Sequence, residues 1–266
     1  MTGILSHLFS ASPRPARFIL LAHARSGSNL VAYSLAAHSQ VAMLSEVLSQ
    51  WPNVRQRCAK GPRHSASYED GADGARFLDE KVFLHHAPRG VQHCGFKIFY
   101  DHARFTPAVK TAWDYILENR DIRIVHLKRR DFLASKVSLD VALKTGQWLL
   151  ENNHDGARHL VPPFTADPAD YEYHFNQLHA AQSWAAGAFA HHNVMEIEYE
   201  RDLFDAFPAT MARVFAFLGL DPETPQIRLQ KQASHSPAEQ LTNFAELREH
   251  FRHSIYEQFF QEPSSR

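Results

Sequence analysis

The apolar residues of this chain form short runs of strand length that alternate with longer stretches of helical spacing. Five runs predict strands, at residues 17–22, 40–46, 94–100, 121–128 and 194–199. Helical spacing begins at about Ser28 and recurs at 108–119, from Asp131 towards Leu150, at 171–190 and at 208–218, where Gly219 ends it. Strands separated by helices predict βαβ units, and therefore an α/β fold with a central parallel sheet flanked by helices.

Two segments interrupt this alternation. Residues 47–80 are mixed and polar, with Pro, Gly and Ser crowded together, and we interpret them as a long loop or lid that carries short helices. Residues 151–170 are rich in Pro, Asp and Asn and predict a second irregular connection. Beyond the last strand and helix, we expect a short helix near 237–250 and a C-terminal helix to about Phe260.

A small polar turn lies between the first strand and the first helix, with the sequence Arg25-Ser26-Gly27-Ser28-Asn29. The first N–H groups of a helix have no partner within the helix, and its dipole is positive at that end, so such turns bind anions. Gly27 lets the backbone approach a ligand, the two serines add hydroxyl donors, and Arg25 adds a permanent charge. The turn is not a Walker A loop, because it has one glycine and no Gly-Lys pair. An exposed polar turn is the alternative interpretation.

A second polar motif follows the strand at 121–128. Arg130 stands at the strand end and Ser138 lies eight residues later, inside the next predicted helix. Eight residues are a little over two helical turns, so the serine can face back towards the ligand that the arginine binds. An arginine fork with a neutral donor suits a phosphate group. The alternative is a basic strand end followed by a helix cap at Asp131.

Taken together, the two motifs resemble those of the sulfotransferases that use 3′-phosphoadenosine 5′-phosphosulfate (PAPS). Further stretches are similar to the bacterial carbohydrate branch, the NodH-type sulfotransferases, at residues 95–102, 126–131 and 198–220. The resemblance covers about 17–150 and 194–250. The segments 51–90 and 151–190 match nothing in that family, so we expect them to be insertions on the acceptor side.

The resemblance implies a three-layer P-loop-like fold with mainly helical insertions. It implies in-line transfer of the sulfuryl group from PAPS to a hydroxyl of a carbohydrate or glycolipid, without a metal ion. Arg25 would stabilise the departing 5′-phosphate. The residues implied in donor binding are Arg25, Ser26, Gly27, Ser28 and Asn29 at the 5′-phosphosulfate, and Arg130 and Ser138 at the 3′-phosphate. His23 departs from the proline that is common in this loop of the family.

A hydroxyl acceptor needs a general base. Glu46 resembles the glutamate that this branch places after its second extended segment, but a useful base requires a pKa raised towards 7. Its alternative role is to cap a helix that starts just after it. His102 is the second candidate base. Lys97 either points into the same cleft or pairs with Asp101 or Glu80.

The length and composition of the chain limit its domain organisation and its possible partners. The 266 residues, 44% hydrophobic and 21% charged, suit one large globular domain at 17–266, preceded by a flexible tail at 1–16. A net charge of −1 gives no overall attraction to nucleic acid or to an anionic membrane. Two cysteines and no run of 18 apolar residues favour a cytoplasmic chain without a transmembrane segment. The 18 histidines form no metal-ligand pattern, and the oligomeric state stays open.

Two other functions remain open from the sequence. One is a P-loop-like nucleotide kinase or NTPase, which the missing Gly-Lys-[Ser/Thr] signature disfavours. The other is a non-catalytic protein that keeps the nucleotide site. For the sulfotransferase, the expected partner is a small-molecule or glycan acceptor.

Overall fold

The computed structural model describes residues 14–84, 88–148, 160–204, 206–224 and 236–261. The strands are β1 (Ala16–Ala22), β2 (Val41–Leu44), β3 (His93–Phe99), β4 (Arg123–Lys128) and β5 (Val194–Glu198). The α-helices in the described ranges are α1 (Ser28–Ala37), α2 (Pro52–Cys58), α3 (Gly74–Phe77), α4 (Pro107–Glu118), α5 (Phe132–Thr145), α6 (Pro168–Ala188), α7 (Phe207–Leu218), α8 (Pro237–Gln240) and α9 (Phe244–His250). Short π-helical turns occur at Leu78–Val82 and Tyr199–Leu203, and a 3₁₀ turn at Glu257–Phe260.

The five strands form one sheet in the order β2-β3-β1-β4-β5, and every neighbouring pair is parallel. The chain passes from β3 on one side of β1 to β4 on its other side. The central strand therefore lies at the point where the strand order reverses, which is where ligands bind in open parallel sheets. The predicted turn at 23–29 follows directly from the carboxyl end of this strand.

Helices cover both faces of the sheet. Side chains such as Ile19 and Leu21 pack with α4, the end of α6 and the 47–83 segment, whereas Phe18 and Leu20 on the other face pack with α1 and α7. Because both faces of the strands are buried, their sequences are almost continuously apolar. The predicted three-layer α/β fold with a central parallel sheet is confirmed, and its central strand leads through a tight turn into a helix as in P-loop folds.

A third apolar cluster lies apart from the sheet and joins α5 and α6 to the C-terminal segment. Phe175 is at its centre. Its ring centroid lies 5.1–6.2 Å from those of Phe132, Tyr171, Phe251, Tyr256 and Phe259. The helix that carries Ser138 is therefore held by aromatic packing against the C-terminal segment.

The C-terminal prediction needs correction. The short helix expected at 237–250 is two helices, separated at Leu241, which forms an isolated bridge with Phe164. The predicted helix to Phe260 is wrong, because the chain forms only a 3₁₀ turn there. Aromatic contacts hold this segment in place, and such contacts do not require a helical backbone. His253 interrupts any helix, because it adopts the left-handed region with φ 64°.

The segment predicted as a loop or lid contains short helices, as expected, and it is packed into the core. Tyr68, Phe77 and Leu78 are buried in the same cluster as the sheet. β1 begins at Ala16, one residue before the predicted start, and residues 1–13 of the expected tail lie outside the described ranges. No helix in the described parts of the chain is long and apolar enough to cross a bilayer.

We predict that Gly95→Ala destabilises the protein by about 1–3 kcal/mol, because overpacking a core forces its neighbours to move. Gly95 lies opposite Phe18 in the β1–β3 register, and an added Cβ would meet the buried ring at 2.6 Å. Urea unfolding measures the change. The matched control is Gly187→Ala in α6, where nothing lies within 4 Å, and which we expect to leave stability unchanged or raise it by up to about 1 kcal/mol. Equal stability of the two variants would contradict the packing argument.

Candidate active site

The turn after β1 is held in an unusual backbone conformation. Arg25 and Gly27 both have positive φ, 65° and 82°. Ser26 is fully buried, and its hydroxyl donates a hydrogen bond to the His23 carbonyl at 2.7 Å. α1 begins at Ser28, as predicted. The Ser26 hydroxyl therefore stabilises the turn itself, and the N-terminus of α1 lies directly behind it.

Gly27 is required for two reasons. Its left-handed backbone is strained for other residues, and a Cβ would lie 2.8 Å from the Tyr199 ring. The same ring lies beneath the Arg129 guanidinium, 4.6 Å from its centroid. The glycine thus admits Tyr199, which packs between the turn and the end of β4.

The two predicted anion motifs are in direct contact. Arg25 Nε donates to Ser138 Oγ at 2.9 Å, and Arg25 Nη1 donates to the Trp148 carbonyl at 2.9 Å. Arg129 Nη1 donates to the Arg25 carbonyl at 2.7 Å. Burial, together with the neighbouring Arg129 charge, lowers the pKa of Arg25 to about 10, so Arg25 stays charged at neutral pH. Two cations side by side suit a multiply charged anion.

Arg130 lies differently from the prediction. Its side chain is 74% exposed and pairs with Glu198 at 3.3 Å, whereas Ser138 is bound by Arg25. The Glu200 carboxylate accepts the backbone N–H groups of Arg130 and Asp131, both at 3.0 Å. The two residues expected to share one phosphate therefore have separate partners in this structure.

Glu46 and the turn are joined through Lys97. Glu46 lies in a bend directly after β2, and its Oε1 is 2.8 Å from Lys97 Nζ. The same ammonium donates to Asn29 Oδ1. The alternatives for both residues are thus wrong: no helix begins after Glu46 until α2, and Lys97 pairs with Glu46 rather than with Asp101 or Glu80.

The pairing decides the ionisation of Glu46. Desolvation would raise its pKa, but the Lys97 charge and hydrogen bond, together with His102 and Arg57, lower the pKa below its ordinary value. A general base requires a raised pKa, whereas the pKa of Glu46 is lowered here. Glu46 is therefore an ionised carboxylate bound to an ammonium.

His102 is buried, and its Nδ1 accepts the Phe99 backbone N–H at 3.2 Å. The neutral ring must then carry its proton on Nε2, because Nδ1 is occupied as an acceptor. Burial lowers the pKa of this histidine, although Asp101 and Glu46 oppose the effect. With its proton on Nε2 and its Nδ1 already occupied, the ring has no free nitrogen to accept a proton. Glu46 is therefore the better placed of the two candidate bases.

Comparison with known proteins shows which proteins this chain is similar to. The Stf0 sulphotransferase family model matches residues 117–246. Nodulation protein H of Rhizobium tropici is 29% identical over 261 residues, which cover 94% of each chain. Nodulation protein H of Rhizobium meliloti (strain 1021) is 28% identical over 260 residues, covering 93% of this chain and 96% of the relative. Together, the family model and these relatives support a sulfotransferase.

A solved structure is also similar to this sulfotransferase. The crystal structure of a sulfotransferase from Alicyclobacillus acidocaldarius aligns with 95% of this chain and 98% of its own, at 13% identity and a TM-score of 0.49. Within the described residues, no three His, Cys, Asp or Glu side chains are grouped as a metal site would require.

The sequence does not indicate two residues of the sulfotransferase site, Arg129 and Tyr199. Arg129 precedes Arg130, the residue expected from the sequence, and successive side chains at a strand end point to opposite sides. Strand alternation was thus the available signal. Tyr199 lies in the stretch 198–220 that resembles the NodH-type sulfotransferases. Nothing in the sequence indicates that its ring lies against Gly27.

Buried histidines lie beside this site. His126 Nε2 and the Tyr100 hydroxyl are 2.6 Å apart, and His23 Nε2 is 3.2 Å from Ser135 Oγ. Burial, reinforced by nearby cations, lowers the pKa of His23 to about 3 and that of His126 to about 4. Both rings are therefore neutral in the folded enzyme at neutral pH.

We predict that the enzyme loses stability as the pH falls from 6.5 towards 4. The unfolded chain protonates its histidines near the ordinary value of 6.5, whereas folded His126 resists protonation until about 4. The unfolded state therefore binds more protons in this window, and each such histidine contributes a slope of roughly 1.4 kcal/mol per pH unit. Urea unfolding at pH 7.5, 6.0 and 5.0 measures it.

His126→Gln should reduce this slope, whereas the exposed control His191→Gln should leave it unchanged. A slope that is the same in both variants would show that His126 does not carry the effect.

Proposed function

We propose that this sulfotransferase uses PAPS as donor and transfers its sulfuryl group to a hydroxyl of a carbohydrate or glycolipid. Adenosine 3′,5′-bisphosphate is then the second product. The observation that carries the proposal is the contact of Arg25 with Ser138 at 2.9 Å, which joins the two anion motifs beyond the carboxyl end of the central strand. A donor with phosphate groups at both ends of a ribose needs two such motifs side by side.

The 5′-phosphosulfate is assigned to the turn and the start of α1. There the N–H groups of residues 26–29 face the ligand with the positive end of the helix dipole behind them. Arg25 is charged and half-buried, so water screens its interaction with a phosphate less than at a fully exposed site. Arg129 fixes the Arg25 carbonyl and thereby the direction of the turn.

The 3′-phosphate is assigned to Arg130 and Ser138. Arg130 would exchange Glu198 for the phosphate, and Ser138 would exchange Arg25. The Arg130–Glu198 pair is exposed, and exposed ion pairs contribute only about 0–1 kcal/mol, so the exchange meets little resistance. This phosphate distinguishes PAPS from nucleotides that lack it.

In the transfer step, the acceptor oxygen attacks sulfur while the bond from sulfur to the 5′-phosphate oxygen breaks. The acceptor proton goes to the Glu46 carboxylate, which is ionised and therefore able to accept it. The electron pair of the broken bond stays on the phosphate, where Arg25 and the N–H groups of the turn stabilise the added charge. Positioning and electrostatic stabilisation thus provide the catalysis.

The acceptor is assigned to the described parts of segments 51–90 and 151–190 and to the residues beside them, because the chain departs from the family pattern in these segments. Trp51 is 61% exposed and Trp148 is 37% exposed, so both offer ring faces to a sugar. Trp184 packs against Trp113 at 5.1 Å and belongs to the core. Both cysteines are free thiols, which supports a cytoplasmic setting for the reaction.

We predict micromolar binding of adenosine 3′,5′-bisphosphate in a calorimetric titration, with little binding of AMP. Arg130→Ala should weaken bisphosphate binding at least tenfold and leave weak AMP binding unchanged, because only the bisphosphate carries the 3′-phosphate. The control is Arg252→Ala, which removes another exposed, paired arginine that lies just after α9. Binding of ATP–Mg²⁺ in place of the bisphosphate would favour a kinase or NTPase, and equal losses for both ligands would contradict the assignment of Arg130.

We predict that Glu46→Gln lowers turnover by 10²-fold or more, the usual range for loss of a general base, while bisphosphate affinity changes by less than about threefold. Glutamine still accepts from Lys97 but cannot take the acceptor proton. Bisphosphate release from PAPS, measured with a panel of oligosaccharides and glycolipids, gives the rate. The control Glu80→Gln alters a surface carboxylate that pairs with Arg76. An unchanged rate would move the base elsewhere, and binding of PAPS without turnover of any acceptor would favour a non-catalytic protein.

A further inference from the structure

Lys97 is a charged residue in the interior of the sheet. It lies on β3 opposite Leu20 of β1 and is 0% exposed. An ammonium in such a place is costly unless it is paired and hydrogen-bonded. Here it binds Glu46 and Asn29, and the Phe99 ring lies 5.2 Å away. Folding alone would be served as well by an apolar residue, so the lysine calls for a functional explanation.

The two partners of this ammonium belong to different parts of the active site. Asn29 is the second residue of α1, at the helix end assigned to the donor phosphosulfate. Glu46 is the candidate base, and its side chain is 21% exposed, so it is accessible from solvent. Lys97 therefore connects the donor site to the base through one buried cation.

We propose that Lys97 is a positioning residue that makes the base available only when the donor is bound. Without donor, its ammonium holds the Glu46 carboxylate. When the donor anion arrives at the start of α1, the ammonium moves towards that charge and away from Glu46, which is then free to accept the acceptor proton. This inference rests on the proposed function.

The charges around Glu46 support such a transfer. Three groups act on this carboxylate, namely Lys97 from β3, His102 from the segment after β3, and Arg57 from α2. His102 is buried and Arg57 is exposed, and neither is shown in contact with the turn. Lys97 contacts both the turn and the base. Its ammonium carries three donors on a flexible stem, so a small rotation changes its partner while the backbone stays fixed.

The chemical consequence concerns the strength of the base. While it is paired, the carboxylate is stabilised as an anion and attracts a proton weakly. Once the ammonium has moved, burial of Glu46 acts without opposition from its closest cation, and the pKa of the carboxyl rises. The base would in this way stay paired, and abstract no proton from an acceptor, while no nucleotide occupies the site.

The test is a ¹³C NMR titration of the Glu46 carboxyl in protein labelled at its glutamate carboxyl carbons, with the signal assigned by Glu46→Gln. The titration is run with and without saturating adenosine 3′,5′-bisphosphate. In the wild type, we expect the nucleotide to raise the proton affinity of Glu46 at least tenfold. In Lys97→Met, which matches the length of the side chain without its charge, the proton affinity should be high already and should rise less than half as much.

Lys97→Met separates the direct effect of the phosphate charge on Glu46 from the effect of moving the ammonium. The phosphate charge acts on Glu46 in both proteins, whereas only the wild type has an ammonium that can move away from Glu46. Lys97→Arg keeps the charge and should restore most of the nucleotide dependence, which also provides a test if the methionine variant does not fold. Bisphosphate binding with an unchanged Glu46 pKa, or with equal rises in wild type and Lys97→Met, would overturn this inference alone. Failure to bind the bisphosphate would overturn both it and the proposed donor.

Discussion

The hydrogen bond from the Arg129 guanidinium to the Arg25 carbonyl is the interaction on which the site depends. It fixes a non-glycine residue in the left-handed region, at the point where the chain leaves the central strand. That conformation directs the Arg25 side chain to Ser138 on α5 and sets where α1 begins. The central strand, β4 and α5 are thereby linked by two arginines, and the N-terminus of α1 is presented to the same space.

Carboxylates balance these cations in the absence of a ligand. Glu198 pairs with Arg130, Glu200 accepts two backbone N–H groups at the start of α5, and Glu46 pairs with Lys97. Each carboxylate occupies donors that an anionic ligand could use. These carboxylates keep the buried cations paired. An incoming dianion competes for the same donors with carboxylates that carry a single charge and are partly solvated.

The sequence was sufficient for the fold and for the places of the two motifs, because strands buried on both faces and amphipathic helices have distinct periods. It could not give the partners of individual side chains. Lys97 meets Asn29 and Glu46 because β3 lies between β2 and β1, and strand order is not encoded in local periodicity. Arg129 and Arg130 are chemically alike, and only the geometry of the strand end decides which of them turns inward.

The aromatic cluster around Phe175 has a consequence for how the enzyme is made. Phe132 of α5 contacts the rings of Tyr256 and Phe259, so the packing of the helix that presents Ser138 is completed by the last-synthesised part of the described chain. During translation, α5 can pack against α6 early, whereas the part of its face that meets Tyr256 and Phe259 is covered only after these residues have left the ribosome. The contacts that hold the Ser138 helix are therefore completed later than those of the central strand and α1.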